Sequence, residues 1–271
     1  MITCLMLCSS LGVCLGRSTI QRKNSQKTSS RRMAFLSCVV LSLIILIADG
    51  FNLHCEQEIK AEVGKDVLIT CEFGGDIGGD HFVIWQRSDD LIVHKIKHGK
   101  DQINDQHANY TERTEISINK EGITLTLKKV RVWDDGIYKL SISTDKGLGD
   151  TSVTLLVWAI PTKDLVITLN PDKSDGLKLT CSSQGWYPEP IVFWKDKFGN
   201  DLKDSEIKTL EQDSKGLYRV EHNVKTVPDY KVHYICHFKS EVMKRRVSMS
   251  GVISGEFNCK CYAYLKGNVN Y

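Results

Sequence analysis

Beyond residue 50 the chain alternates. Apolar side chains fall on every second position in short runs, the period of a strand with one buried face. Val67-Leu-Ile-Thr-Cys-Glu-Phe73 sets Val67, Ile69, Cys71 and Phe73 on one side. His81 to Trp85, Leu91 to Lys97, Thr114 to Ile118 and Ile123 to Leu127 also read as strands, and Asp134-Asp-Gly-Ile-Tyr138 leads into another. Gly74-Gly75 and Gly78-Gly79 mark a turn between the first two. A second set runs through Leu165 to Leu169, Leu177 to Cys181, Tyr218 to Val224, Val232 to Lys239 and Lys244 to Ser250. Val157-Trp-Ala-Ile-Pro161, short and closed by a proline, joins the two sets with little freedom to bend. The pattern predicts an all-β chain of two tandem sandwiches, residues 51–158 and 159–255, between an N-terminal extension (1–50) and a tail (256–271).

A few invariable-looking positions say which sandwich. In the second half Cys181 is followed thirteen residues later by Trp194, and then by Cys236 with Tyr234 two before it. This is the core pin of an immunoglobulin-type sandwich: cysteines on facing sheets, the tryptophan against their bond, the tyrosine at the corner. The first half carries Cys71, Trp85 fourteen residues on, and the acid–glycine–tyrosine run ending at Tyr138. That is a variable-type pattern. Arg113 stands ahead of one strand where it can pair with Asp134 across the bottom of the sandwich, as a structural brace.

The run Cys181-Ser-Ser-Gln-Gly-Trp-Tyr-Pro-Glu-Pro190, with the strand ending at Trp194, resembles the membrane-proximal constant-type domain of butyrophilins and related T-cell costimulatory ligands. Gly185 to Pro190 would be a loop there, since two prolines fix φ and withhold amide donors. Leu91 to Gln102, continuing through Tyr110 to Ile116, is similar to the variable domains of the same family. The resemblance spans roughly Glu56 to Ser254. One position departs from it. The family pattern calls for a cysteine at position 140, and the chain has Leu140. Losing such a bond typically costs about 2–5 kcal/mol, part of which the apolar volume of Leu140 offsets. Cys71 then has two fates, an unpaired buried thiol or a bond to Cys55. The unpaired thiol is the expectation, because a Cys55–Cys71 bond would join neighbouring strands near one edge, outside the usual pin.

Of ten cysteines, Cys4, Cys8, Cys14 and Cys38 lie in N-terminal apolar runs. The spacing of the other six suits an oxidising compartment better than a zinc site. Arg17 to Arg32 is basic, Phe35 to Ile47 is apolar, and small residues follow at Ala48 and Gly50. This is the layout of a secretory signal with Met33 as the functional start; an uncleaved anchor is the alternative. Either way the sandwiches are expected outside the cytosol, on the external side of the plasma membrane or secreted. The resemblance implies a membrane helix after residue 254, whereas the chain holds no run of 18 apolar residues beyond Phe51. A secreted product or a truncated membrane protein would each account for that. Asn109-Tyr-Thr111 is the chain's one N-glycosylation sequon.

A net charge of +3 implies no nucleic-acid partner. The motifs of nucleophile elbows, phosphate loops and metalloprotease helices are missing from the sequence, so an enzyme is not expected, nor a cofactor. His94 and His98 sit four apart on an expected strand, and Cys259-Lys-Cys261 lacks two further ligands nearby, so no metal site is expected. Recognition remains. With Trp85 and Leu140 pointing inward, Ile84, Gln86, Lys139 and Ser141 point outward. His94 and the loop holding Lys146 border them. An apolar centre with a charged rim is how a transient interface is built. The resemblance implies a ligand that binds a lymphocyte receptor through this face and modulates T-cell activation. A homophilic adhesion module with weak self-association and a soluble decoy stay open as alternatives.

Overall fold

The alternating runs become hydrogen-bonded ladders in the computed structural model, which describes residues 53–74, 77, 80–145, 147–161, 165–171, 177–203, 205–226, 232–253 and 264–268. The expectations placed on the N-terminal extension, on Lys146 and on Cys259 and Cys261 fall outside these residues.

The first half supplies β1 (Leu53–Cys55), β2 (Glu58–Glu62), β3 (Val67–Phe73), β4 (His81–Arg87), β5 (Ile92–Lys97), β6 (Lys100–Asp101), β7 (Thr114–Ile118), β8 (Gly122–Leu127), β9 (Gly136–Thr144) and β10 (Gly147–Trp158). They form a four-stranded sheet in the order β1-β3-β8-β7 and a six-stranded sheet in the order β2-β10-β9-β4-β5-β6. The leading segment serves both: β1 pairs antiparallel with β3, and β2 crosses over to run parallel to β10. Ile69, Cys71, Leu125 and Leu127 from one sheet and Val83, Trp85, Leu140, Val153 and Leu155 from the other are wholly or almost wholly buried between them. Cys71, Ile69, Trp85 and Leu140 stand on the faces that alternation assigned inward.

Cys71 is not an unpaired thiol. It is bonded to Cys55, with Cα atoms 4.2 Å apart. The reason is register: β1 lies along the edge of β3, and Cys55 sits directly opposite Cys71 in that ladder. Leu140 fills the position on the facing sheet and is fully buried. The pin across the two sheets has become a clip within one sheet. A bond closing a loop of 16 residues is worth about 3 kcal/mol in the chain-entropy account. It also anchors a three-residue edge strand that would have little else to hold it.

The second half supplies β11 (Val166–Pro171), β12 (Leu177–Trp186), β13 (Ile191–Asp196), β14 (Ser205–Gln212), β15 (Tyr218–Thr226), β16 (Val232–Ser240), β17 (Arg245–Ile253) and β18 (Tyr264–Asn268). The sheets run β11-β12-β15-β14 and β13-β16-β17-β18. Cys181 on β12 and Cys236 on β16 are joined across them, Cα atoms 6.4 Å apart. Trp194, paired in the ladder with Cys236, is fully buried, and Tyr234 is buried too. Two details differ from the sequence reading. Gly185 and Trp186 belong to a strand and not to a loop, since β12 continues past a bulge after Gln184 that Gly185 accommodates at φ 95°. Part of the tail returns as β18 along the edge of β17.

His237 makes this half sensitive to acid. Its ring is 6% exposed and stacks on Phe193 at 4.9 Å between centroids. Burial, reinforced by Arg246 and Lys195 and opposed by Asp201, pushes its pKa down to about 4. Burial lowers His222 in the same direction. Between the ordinary histidine value of 6.5 and about 4, the unfolded chain binds the proton that the folded chain refuses. Stability of the second sandwich therefore falls as pH drops through that window, and is fully present above it. Urea midpoints followed by tryptophan fluorescence should decline from pH 7 to pH 4, and His237→Asn should flatten the decline.

Candidate functional site

The outward face of the six-stranded sheet is set by what its partners bury. Val83, Trp85, Leu140 and Ile142 are inside, so Phe82, Ile84 and Gln86 on β4, and Lys139, Ser141 and Ser143 on β9, stand outside. The rows across the ladder can be read off directly. One holds Leu148, Ser143, Phe82 and Lys97; the next holds Asp150, Ser141, Ile84 and Lys95; a third holds Ser152, Lys139, Gln86 and Ile92. Ile84 and Gln86 are half-buried, whereas Lys139 and Ser141 are exposed. Leu148 is 76% exposed at the hairpin between β9 and β10. The Lys95 stem crosses the face, its ammonium 5.6 Å from the Phe82 ring centroid and 2.5 Å from Asp105. The result is a shallow apolar strip along β4, small serines beside it on β9, and lysines around it.

His94 is not on this face. It is 8% exposed and lies opposite Trp85, pointing inward. The ladder pairs Trp85 with His94 and then Gln86 with Ile92, so Val93 is an extra residue and the parity of β5 flips there. Its imidazole joins a polar cluster: Nδ1 is 2.8 Å from Thr114 Oγ1 and Nε2 is 3.2 Å from Asp101 Oδ1. Gln106 Nε2 donates to Thr114 Oγ1 at 2.7 Å and to the Val93 carbonyl at 2.9 Å. The cluster fastens β5 and β6 to β7 on the facing sheet. Sequence reasoning gave no sign of Asp101, Gln106 or Thr114, because residues up to 20 positions apart meet only through the fold.

At the bottom of the same sandwich Arg113 and Asp134 form a buried ion pair. Arg113 Nη1 donates to Asp134 Oδ1 at 3.3 Å and Nη2 to Asp134 Oδ2, and the other donors go to the carbonyls of Asn109, Lys128 and Lys129. The Arg131 backbone N–H caps Asp134 from the other side at 2.7 Å. Tyr138 donates to the Asp134 carbonyl at 2.8 Å, and its hydroxyl lies 3.4 Å from that of Tyr110. Burial, with the neighbouring Tyr110 hydroxyl and Asp134 carboxylate, raises the Tyr138 pKa well above its usual value. Tyr138 therefore stays a neutral donor. Asn109 is exposed on a 3-10 turn over Ala108–Tyr110, its side chain reachable from solvent while Tyr110 beside it is buried.

Among the described residues, groups of three or more metal-ligating side chains are absent, and so are helices long and apolar enough to cross a membrane.

Comparison with known proteins gives the likeness. Residues 162–247 match the description "Butyrophilin subfamily 3 member A2-like, Ig-C domain". The crystal structure of bovine butyrophilin superposes with a TM-score of 0.69 at 22% identity, covering 76% of this chain and 99% of that one. The chain is similar to members of the butyrophilin and B7 group of the immunoglobulin superfamily. This butyrophilin-like chain is 27% identical over 225 residues to the mouse "Selection and upkeep of intraepithelial T-cells protein 3", covering 80% of its own length and 48% of the relative's. It is 27% identical over 186 residues to the human "V-set domain-containing T-cell activation inhibitor 1", covering 62% of its own length and 65% of the relative's. The butyrophilin-like chain thus spans about half the length of the mouse relative. Its disulfide-bonded sandwiches are of the ectodomain type.

Proposed function

We propose that this chain is an extracellular ligand, at the cell surface or secreted, that docks a lymphocyte receptor through the outward face of its six-stranded sheet and thereby modulates T-cell activation. The observation that carries the reading is the make-up of that face. Phe82 and Ile84 lie along its centre, Ile92 and Leu148 flank them, and Lys139 stands exposed beside them. A monomer normally spends such a strip on an interface. The names of two relatives point the same way: one concerns the upkeep of intraepithelial T cells, the other inhibition of T-cell activation.

The test is to stain activated T cells with a labelled tetramer of the two sandwiches, and then with Lys139→Glu and Ser141→Arg versions. A transient interface of this kind concentrates its energy in a few central residues. The double replacement is expected to lower staining at least tenfold while the thermal midpoint stays put. Undiminished staining by the double variant would rule this face out. Sedimentation separates the adhesive alternative, which requires the isolated protein to self-associate.

A further inference from the structure

The Trp186-Tyr187 pair points two ways. Trp186 turns into its own sandwich, fully buried, 5.5 Å from the Phe238 ring and donating to Ser183 Oγ at 2.8 Å. Tyr187 packs instead against the hydrophobic core of the first sandwich. Its hydroxyl donates to the carboxylate of Asp135, which also accepts the Val157 backbone N–H. Its backbone is fixed as well: Ala159 N–H donates to the Tyr187 carbonyl at 2.8 Å, and Tyr187 N–H to the Ala159 carbonyl at 3.0 Å. The linker is therefore stitched to the end of β12 two residues after Val157 leaves the first core. A second contact lies beside it. Gly216, at φ 79° in the turn between β14 and β15, comes so close to Val132 that a Cβ there would sit 3.0 Å from Val132 Cγ1. Burial raises Asp135 above the usual carboxylate range and, together with the adjacent Asp135, pushes Tyr187 up to about 12.

We infer that Tyr187 is the key of a rigid joint: it belongs to the second sandwich by sequence and to the first by packing, and it holds the two as one body. Neighbouring domains joined by a short interface normally move relative to each other. Here the backbone pair at Ala159, the bond to Asp135 and the contact at Gly216 remove that freedom together. The joint also bears on the first sandwich internally, because Asp135 follows Asp134 of the buried ion pair and precedes β9, a central strand of the outward face. This inference is independent of which receptor, if any, the face engages.

Spin labels on non-natural residues replacing Glu72 and Arg245, one exposed site on each sandwich, read the joint by pulsed electron resonance. The full chain should give a single narrow distance distribution. Tyr187→Ala should broaden it severalfold, with both disulfides and the near-ultraviolet signal of the buried tryptophans retained. Tyr187→Phe, which keeps the ring and loses the hydroxyl, should fall between. Should Tyr187→Ala prevent the second sandwich from folding, Asp135→Ala removes the same contact from the other side and should broaden the distribution alike. A broad distribution in the unaltered chain, or distributions as narrow as wild type in both folded variants, would overturn the proposal.

Discussion

Replacing Cys181 and Cys236 together by alanine is expected to remove about 4 kcal/mol from the second sandwich, the chain-entropy value for a separation of 55 residues. Domains of this size hold a total of about 5–15 kcal/mol, so most of the margin would go. The packing loss adds to it, since both sulfurs are fully buried beside Trp194 and Phe238. Urea unfolding followed by tryptophan emission should show the transition moving to a much lower midpoint, or no cooperative transition at 37 °C. A shift worth less than about 1 kcal/mol would mean the bond does not organise this core. The Cys55–Cys71 bond predicts a smaller effect, because it closes a shorter loop at an edge and leaves the β4–β9 and β3–β8 ladders untouched.

The second large effect is expected at Asp134. Asp134→Ala leaves the Arg113 guanidinium in an 8%-exposed site with carbonyl partners but no counter-charge. Breaking a buried pair from one side typically costs about 3–5 kcal/mol, because the remaining charge is still desolvated. It also frees the Arg131 N–H that caps the 3-10 turn over Val132–Asp134. A double replacement, Arg113→Met with Asp134→Leu, should recover much of the loss, since apolar side chains carry no desolvation cost. The thermal midpoints of the single and the double replacement are compared with that of the unaltered chain; equal destabilisation by the two would contradict this account. The exposed pair Lys128–Glu115 offers the control, with about 1 kcal/mol or less at stake.

Much of this architecture is written in local chemistry. Strand positions follow from alternation, and the Cys181–Trp194–Cys236 spacing names its own sandwich because those residues must meet at one layer of the core. Three readings failed, each for a reason outside the local pattern; the loop expected at Gly185 and Trp186 is the end of β12. Cys71 was expected to lack a partner because its usual one comes from the facing sheet. The position of β1 beside β3 depends on long-range pairing that no pattern within Leu53–Cys55 announces. His94 was placed at the border of the face, whereas it stands opposite Trp85 in the ladder and shares that residue's inward side. The outward set on β4 and β9 was legible because those strands pair without interruption from His81 to Arg87. The Tyr-Pro run was legible as a motif but not as a joint. Nothing in ten residues of sequence shows that one aromatic ring serves its own core and the next serves a neighbour's.

The clip at Cys55 sets a limit on how far the front of this protein can be trimmed. Cleavage or engineering that starts the chain at Glu56 or later would delete one sulfur and leave the other sealed among Ile69, Trp85 and Leu140. Such a product would carry an odd sulfhydryl too hidden for alkylating reagents until it unfolds, at which point it could cross-link to a neighbour. Ellman titration before and after denaturation would therefore tell a correctly processed preparation from an over-shortened one.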